Sequence, residues 1–213
     1  MSVGRQALLA WLDLLQRTYS ENRQLLTELD SAIGDADHGI NMDRGFRAVK
    51  AEMDSNAPPD IQSILQAVAT VLIRTVGGAS GPLYGTFFLR TAAVCAGKTE
   101  LSPADIVALF QTGIEGVRQR GKAEPGDKTM LDALVPALAS MQESLREAGS
   151  LEQILEAGAA AAEAGMLGTI PLQARKGRAS YLGLRSVGHQ DPGATSSWLM
   201  IRAAAGAWRG KTA

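Results

Sequence analysis

Residues 58–76 read PPDIQSILQAVATVLIRTV. The paired prolines stop any helix that precedes them: each lacks an N–H, and the first is held away from helical backbone by the second. Asp60 then stands where a helix N-cap belongs. Ile61, Leu65, Val68 and Leu72 follow at i, i+4, i+7 and i+11, one apolar stripe along a helix. The run predicts a helix over 60–76. Working outward, the same spacing recurs at Leu8, Leu12, Leu15 and Tyr19, and again at Leu134, Leu138, Met141 and Leu145. Ser102-Pro103 repeats the start signal, a cap before a proline at the first helical position. Pro125-Gly126-Asp127 before Lys128 reads the same way. Alanine occurs 34 times against 10 valines and 10 isoleucines, which favours helix over strand. No apolar/polar alternation survives beyond a few residues. About eight helices are expected, near 3–29, 39–54, 60–76, 81–97, 103–120, 127–147, 151–167 and 194–209. The predicted fold is all-α, one domain over 1–213, with no strand and no internal repeat.

Composition bounds the function. The chain has 213 residues, of which 46% are hydrophobic, with 21 basic and 22 acidic side chains and a net charge of −1. That apolar content excludes disorder as the main state. Near-neutral charge argues against general binding to nucleic acid or anionic membranes. A single cysteine, Cys95, excludes an internal disulfide, and two histidines exclude a zinc-finger framework. Cys95 lies in an apolar stretch and reads as a buried thiol. Arg5, Asp13 and Arg17 interrupt the N-terminal leucines, so no signal peptide is expected, and no run reaches the ~20 apolar residues of a membrane span. A soluble, cytoplasmic protein is expected.

The chemistry-bearing residues sit between the helices. Asp30, Asp35 and Asp37 fall within eight residues, and Gly34 and Gly39 let the backbone turn between them. In a loop before a helix, Asp35 and Asp37 can converge. Converging carboxylates repel unless a cation neutralises them, and hard oxygen ligands without cysteine suit Mg²⁺. The plain alternative is a solvated acidic loop whose aspartates cap the next helix. His38 either contacts a phosphate or packs locally. Gly77-Gly78-Ala79-Ser80-Gly81 offers backbone N–H groups and a helix N-terminus to an anion, or is simply a tight turn. It is not a Walker A loop. Residues 121–130 carry Lys122 and Lys128, which either bind phosphate, cover a base or are solvated. Residues 172–193 form a long segment without periodicity that carries Lys176, Arg178, His189 and Asp191, and it reads as a lid. Asp191-Pro192-Gly193 also reads as a turn before the last helix. In an antiparallel array the loops 30–38, 77–81, 121–127 and 172–193 follow the first, third, fifth and seventh helices. They therefore gather at one end, which predicts a single site.

The blocks GDADHGINMDRGF, GGASGPLYGTFF, RGKAEPGDKTM, QARKGRASYLG and GHQDPGATS, in this order over residues 30–196, resemble the ADP-binding L-subunit family of dihydroxyacetone kinases. The resemblance implies a barrel of eight antiparallel helices with a nucleotide in the loops at one end. It implies Asp30, Asp35 and Asp37 as ligands of two Mg²⁺ ions. It implies nucleotide contacts at His38, Gly39, Ile40, Asn41, Ala79, Ser80, Gly121, Met130, Asp191, Pro192 and Gly193. Arg178 is implied to act on the phosphates and to be catalytic. Length favours the separate subunit of the phosphotransferase-linked system over an ATP-dependent fusion with a substrate domain. In that system bound ADP takes a phosphoryl group from a phosphohistidine on an M subunit. The resulting ATP phosphorylates dihydroxyacetone, or another small ketose, on a K subunit. A transcription regulator is a further partner the resemblance allows, making the chain a nucleotide-loaded signalling module. A metal-dependent phosphohydrolase is the rival enzyme class, and two histidines make a His-rich dimetal centre a poor fit.

Overall fold

The protein is described by a computed structural model over residues 2–209. Within these residues the chain forms nine α-helices: α1 (Arg5–Glu21), α2 (Arg23–Ile33), α3 (His38–Asn56), α4 (Ile61–Thr75), α5 (Ser80–Val94), α6 (Pro103–Gly121), α7 (Leu131–Arg146), α8 (Leu151–Gly168) and α9 (Pro192–Ala207). A 3₁₀ helix, Arg178–Ser186, lies in the long segment before α9. The strands β1 (Val3–Gly4) and β2 (Glu100–Leu101) pair antiparallel.

Each helix packs on the next from α3 to α9, and α9 returns to α1, which packs on α3. With α1 and α2 taken as one bent member, the circuit is a closed ring of eight. Short connections between packed neighbours make them antiparallel. The apolar stripes meet inside the ring. The Trp11 ring lies 5.8 Å from Phe88, 6.3 Å from Phe110 and 5.0 Å from Trp208, centroid to centroid, and its Nε1 donates to the Met200 carbonyl at 3.3 Å. Cys95 is buried as expected, and burial pushes its thiol up to about 11.

The start signals expected at Asp60 and Ser102, at one end of the ring, are present. Asp60 accepts a hydrogen bond from Ser63 N at 2.8 Å. Ser102 forms a capping box with Asp105, behind Pro103. Ser150 forms another with Gln153.

Several expected elements differ. The helix expected over 3–29 is two, broken at Asn22, whose side chain donates to the Thr18 carbonyl at 2.8 Å and so competes with the helical ladder. Leu15, Tyr19 and Leu26 are all fully buried across the break, so periodicity reads straight through it. Asp30 consequently lies in the last turn of α2, and the acidic loop is only residues 34–37. Residues 3–4 are strand, too short to alternate. The helix expected from 127 starts at Leu131, because Lys128 has φ +61° and Asp127 accepts instead from Glu124 N at 2.9 Å. The segment 172–193 is not structureless, since the 3₁₀ helix spans its middle, with Gly183 at φ +56°. The fourth expected helix ends at Val94 rather than 97.

Candidate functional site

The four connections do gather at one end. They enclose a cavity of about 530 Å³ lined by the acidic loop, residues 77–80, the end of α6, residues 128–131, and the long segment before α9. Of the residues singled out from the sequence, Asp30, Asp35, Asp37, His38, Ala79, Ser80, Gly121, Met130, Arg178, Asp191, Pro192 and Gly193 line it. Gly39, Ile40 and Asn41 do not; they form the first turn of α3 behind the wall.

The three aspartates converge. One carboxylate oxygen of each lies within 4.8 Å of the others. Between Asp35 and Asp37 the loop passes through Ala36 at φ +61°. A left-handed alanine costs about 1 kcal/mol or more. Asp30, largely buried, is held by Asp37 N at 2.9 Å and His38 N at 3.1 Å, both donating to its Oδ2. That carboxylate therefore closes the N-terminus of α3 and faces the cavity at once. Arg178 reaches across the mouth to Asp35 at 3.0 Å. Both partners are substantially exposed, so the pair adds little stability.

Backbone donors lie at the same end of the ring. α3 and α5 start from Asp37 and Ala79, both in right-handed helical conformation, and neither residue's side chain caps its helix. The Gly39 and Ile40 N–H groups of α3, and the Ser80 and Gly81 N–H groups of α5, precede the first intrahelical bond. Two glycines allow the close approach: a Cβ on Gly39 would overlap the Arg23 carbonyl, and one on Gly81 the Val76 carbonyl.

The His38 ring is buried and engaged on both sides. Ser196 donates to the Gly193 carbonyl at 3.0 Å, so it can only accept, from Tyr84 OH at 2.7 Å and from His38 Nε2 at 2.9 Å. The proton therefore sits on Nε2, and Nδ1 accepts from Ser80 Oγ at 3.1 Å. Burial lowers the His38 pKa, against the raising effect of Asp30 and Asp37. With both nitrogens engaged between α5 and α9, the ring offers no free nitrogen to a phosphoryl group.

Lys128 overturns the expectation of a phosphate- or base-facing lysine. It is 1% exposed, and its ammonium donates to backbone carbonyls beyond α8. Asp132 holds the turn that carries it, accepting from Gly126 N at 2.5 Å and Thr129 N at 2.6 Å. Asp191 caps α9, accepting from Ala194 N at 2.6 Å, behind Pro192 at the first helical position. Burial pushes the Asp191 carboxyl up to about 7, with Asp132 and Asp30 adding to the effect and Lys128 opposing it.

Known proteins are similar to this chain. The DAK2 domain family matches residues 32–206. Identity is 47% over 202 residues with the ADP-binding subunit DhaL of the PEP-dependent dihydroxyacetone kinase of Escherichia coli (strain K12), covering 95% of this chain and 96% of that one. This chain belongs to the DAK2 domain family. It is a dihydroxyacetone kinase subunit, a transferase. The human triokinase/FMN cyclase is 36% identical over 179 residues, spanning 84% of this chain and 31% of its own length. The crystal structure of the C. freundii dihydroxyacetone kinase in its native form superposes with a TM-score of 0.75 at 26% identity, over 97% of this chain and 35% of that one.

Within this DAK2 chain, sequence reasoning missed the residues that shape the cavity without bearing an obvious motif. Asp132 and Thr169 read as ordinary helix or turn positions, and Tyr84 and Ser196 stood inside the quoted blocks with no role assigned to them. Only Asp132, one turn after Lys128 at a loop–helix junction, carried a readable signal. Leu83, Val117, Ala123 and Leu131 make the apolar part of the wall.

Proposed function

We propose that the cavity holds ADP with two Mg²⁺ ions and that the chain is the phosphoryl-transfer subunit of a phosphoenolpyruvate-dependent dihydroxyacetone kinase. Bound ADP accepts a phosphoryl group from a phosphohistidine on an M subunit, and the ATP so formed phosphorylates dihydroxyacetone on a K subunit. The observation that carries this reading is the meeting, at one cavity, of three converging carboxylates, Arg178 and the N-termini of α3 and α5, which their own N-cap side chains do not cap.

The donor set fits the metal. Asp30, Asp35 and Asp37 offer hard oxygens within 4.8 Å of one another, a set of carboxylates alone. When bound, Mg²⁺ neutralises phosphate charge and aligns the phosphates for transfer. The chain's own groups do the rest. The first-turn N–H groups of α3 and α5 suit phosphate oxygens, with the helix dipoles behind them. His38 lines the wall and Asn41 acts from behind it: the ring ties α3 to Ser80 and Ser196, and Asn41 packs under Gly77. Leu83, Val117, Gly121 and Met130 offer an apolar slot for the base. Pro192 and Gly193, at the start of α9, close the floor with Asp191. Arg178 supplies a planar fork for charge on the transferring group. No covalent nucleophile is needed.

Exposed apolar side chains support dependence on partner subunits. Ile40, Ile73, Leu167, Tyr181, Leu184 and Val187 all stand around the cavity end. The relative's name describes a PEP-dependent kinase and an ADP-binding subunit. Among the described residues no helix is long and apolar enough to cross a membrane. On this reading the chain works in the cytoplasm.

Purified protein should carry one ADP per chain and release it on chelation. Alone it should not phosphorylate dihydroxyacetone from ATP or phosphoenolpyruvate. Adding K should allow one turnover from bound ATP, and adding M with the general phosphotransferase proteins should allow continuous turnover. Sugar kinase activity from the isolated chain, or no measurable affinity for ADP·Mg, would overturn the assignment.

A further inference from the structure

We infer that Lys128 is a positioning residue, a built-in cation that closes the neck of the lid and thereby aims Arg178. The lid leaves the body after α8 and returns at α9, and its two strands meet at the neck. There Gly188 N donates to the Ile170 carbonyl at 2.8 Å, and Asp191 N to Thr169 Oγ1 at 3.0 Å. The Lys128 ammonium enters this neck from the loop before α7. It donates to the carbonyls of Thr169 at 2.8 Å and Leu172 at 3.1 Å on the outgoing strand, and to that of His189 on the returning strand. The Ile170 carbonyl lies at 3.5 Å.

Three observations give this arrangement a purpose. All its partners are acceptors, so the three ammonium protons are used and a neutral amine would aim a lone pair at a carbonyl oxygen. The Thr169 carbonyl follows directly on the last turn of α8, where the helix dipole favours a cation. The lid also has little else to hold it. Ala174 and Ala179 form, with Ile33, a small apolar cluster separate from the main core. Beyond that, Arg175 N donates to the Asp127 carbonyl at 3.0 Å, and Arg178 meets Asp35. Among the described residues Lys128 is thus the one buried charge that joins both sides of the neck to the loop carrying Met130.

The test uses the full chain. In the unaltered protein, side-chain ¹⁵N NMR should show one lysine ammonium protected from exchange with water, with couplings to the neck carbonyls, and Lys128→Met should lose it. In Lys128→Met, amides 173–187 should exchange about tenfold faster or more, the scale of one lost buried charged hydrogen bond, while those of α4–α6 are unchanged. Single-turnover transfer should slow by about 10²-fold, as a misplacement of about 1 Å can cause, while ADP affinity falls much less. Ammonium or methylamine should partly restore transfer to Lys128→Ala in a saturable way, and tetramethylammonium should not. The inference is overturned by the absence of a protected signal in the unaltered chain. Faster exchange spread evenly round the ring, transfer at the wild-type rate in Lys128→Met, or rescue by tetramethylammonium would overturn it equally. The transfer readouts rest on the proposed function; the NMR and exchange readouts do not. A protected ammonium in a chain that transfers nothing would therefore defeat that reading and leave this one standing.

Discussion

At the end of the ring away from the cavity, α4, α6 and α8 each start from an extended residue whose side chain accepts from the third residue of the helix: Asp60, Ser102 and Ser150. At the cavity end, α3 and α5 start from residues already in helical conformation, with no such cap. The carboxylates divide in the same way. Asp105, at the far end, is held by Lys98 and Ser102 and drops to about 2. Asp30, Asp35 and Asp37 face one another with Arg178 as their cation partner among the described residues. One end spends its polar side chains on finishing helices. The other leaves backbone donors and acidic oxygens facing a cavity, which is stable only if something charged belongs there. α7 and α9 lie between these cases, because buried Asp132 and Asp191 finish them from within the site.

Removing the acidic cluster should break this contrast most severely. Asp30→Ala, Asp35→Ala and Asp37→Ala should each lose chelator-sensitive ADP retention and bring transfer below detection, with the helical circular dichroism intact. Full ADP retention and turnover in all three would place the metal elsewhere. Next comes Arg178. Its fork is expected to tighten on charge that develops only during transfer. Arg178→Ala should slow single-turnover transfer by about 10³-fold, with ADP retention changed much less. Arg178→Lys should recover only part of the rate. An equal loss of binding and rate would make Arg178 a simple ligand.

A smaller effect separates the buried aspartate at α9 from those at the far end. The Asp191 carboxyl rises from 3.8 to about 7, chiefly by burial. Its contribution to stability is therefore fully present below pH ~4, where folded and unfolded states are both protonated. Between about 4 and 7 the unfolded chain releases the proton first, so stability falls as pH rises through the folded value. Asp191→Asn should remove that slope. In nucleotide-free protein it should gain on wild type between pH 5 and 8 by on the order of a few kcal/mol, read from Tm. Asp105, shifted the other way, contributes stability that is lost only as pH falls from about 4 towards 2. A wild-type pH profile in Asp191→Asn would mean that the carboxyl is not held as described. The smallest effect belongs to the far end: Ser102→Ala or Ser150→Ala should cost about 1 kcal/mol and leave ADP retention untouched. A change in nucleotide binding from either would deny that the two ends are independent.

Much of this was legible in the chain itself, and the boundary between what was and what was not is physical. Signals that act within a turn or two of helix could be read directly. The stripe from Ile61 to Leu72, the caps at Asp60 and Ser102, and Pro192 behind Asp191 all depend on neighbours three or four residues away. Alternation of antiparallel helices then forces every second loop to one end, so a single site followed from counting. The break at Asn22 escaped because burial continues across it. The three aspartates were visible as a composition, but their convergence depends on Asp30 meeting the backbone of Asp37 and His38 across a loop that passes through a left-handed Ala36, which nothing in its residue type suggests.

The sequence by itself determined the helical class, the end at which the site lies and the chemical types gathered there, because local propensity and topology suffice for those. Only the tertiary structure decided which way each polar group faces. The Lys128 ammonium finds carbonyls 41 to 61 residues away, and the His38 ring finds Ser196 across 158 residues. Whether a lysine meets a phosphate or a helix end, and whether a histidine faces a ligand or a neighbouring hydroxyl, depends on which acceptors the closed ring brings within about 3 Å. No spacing along the chain contains that distance.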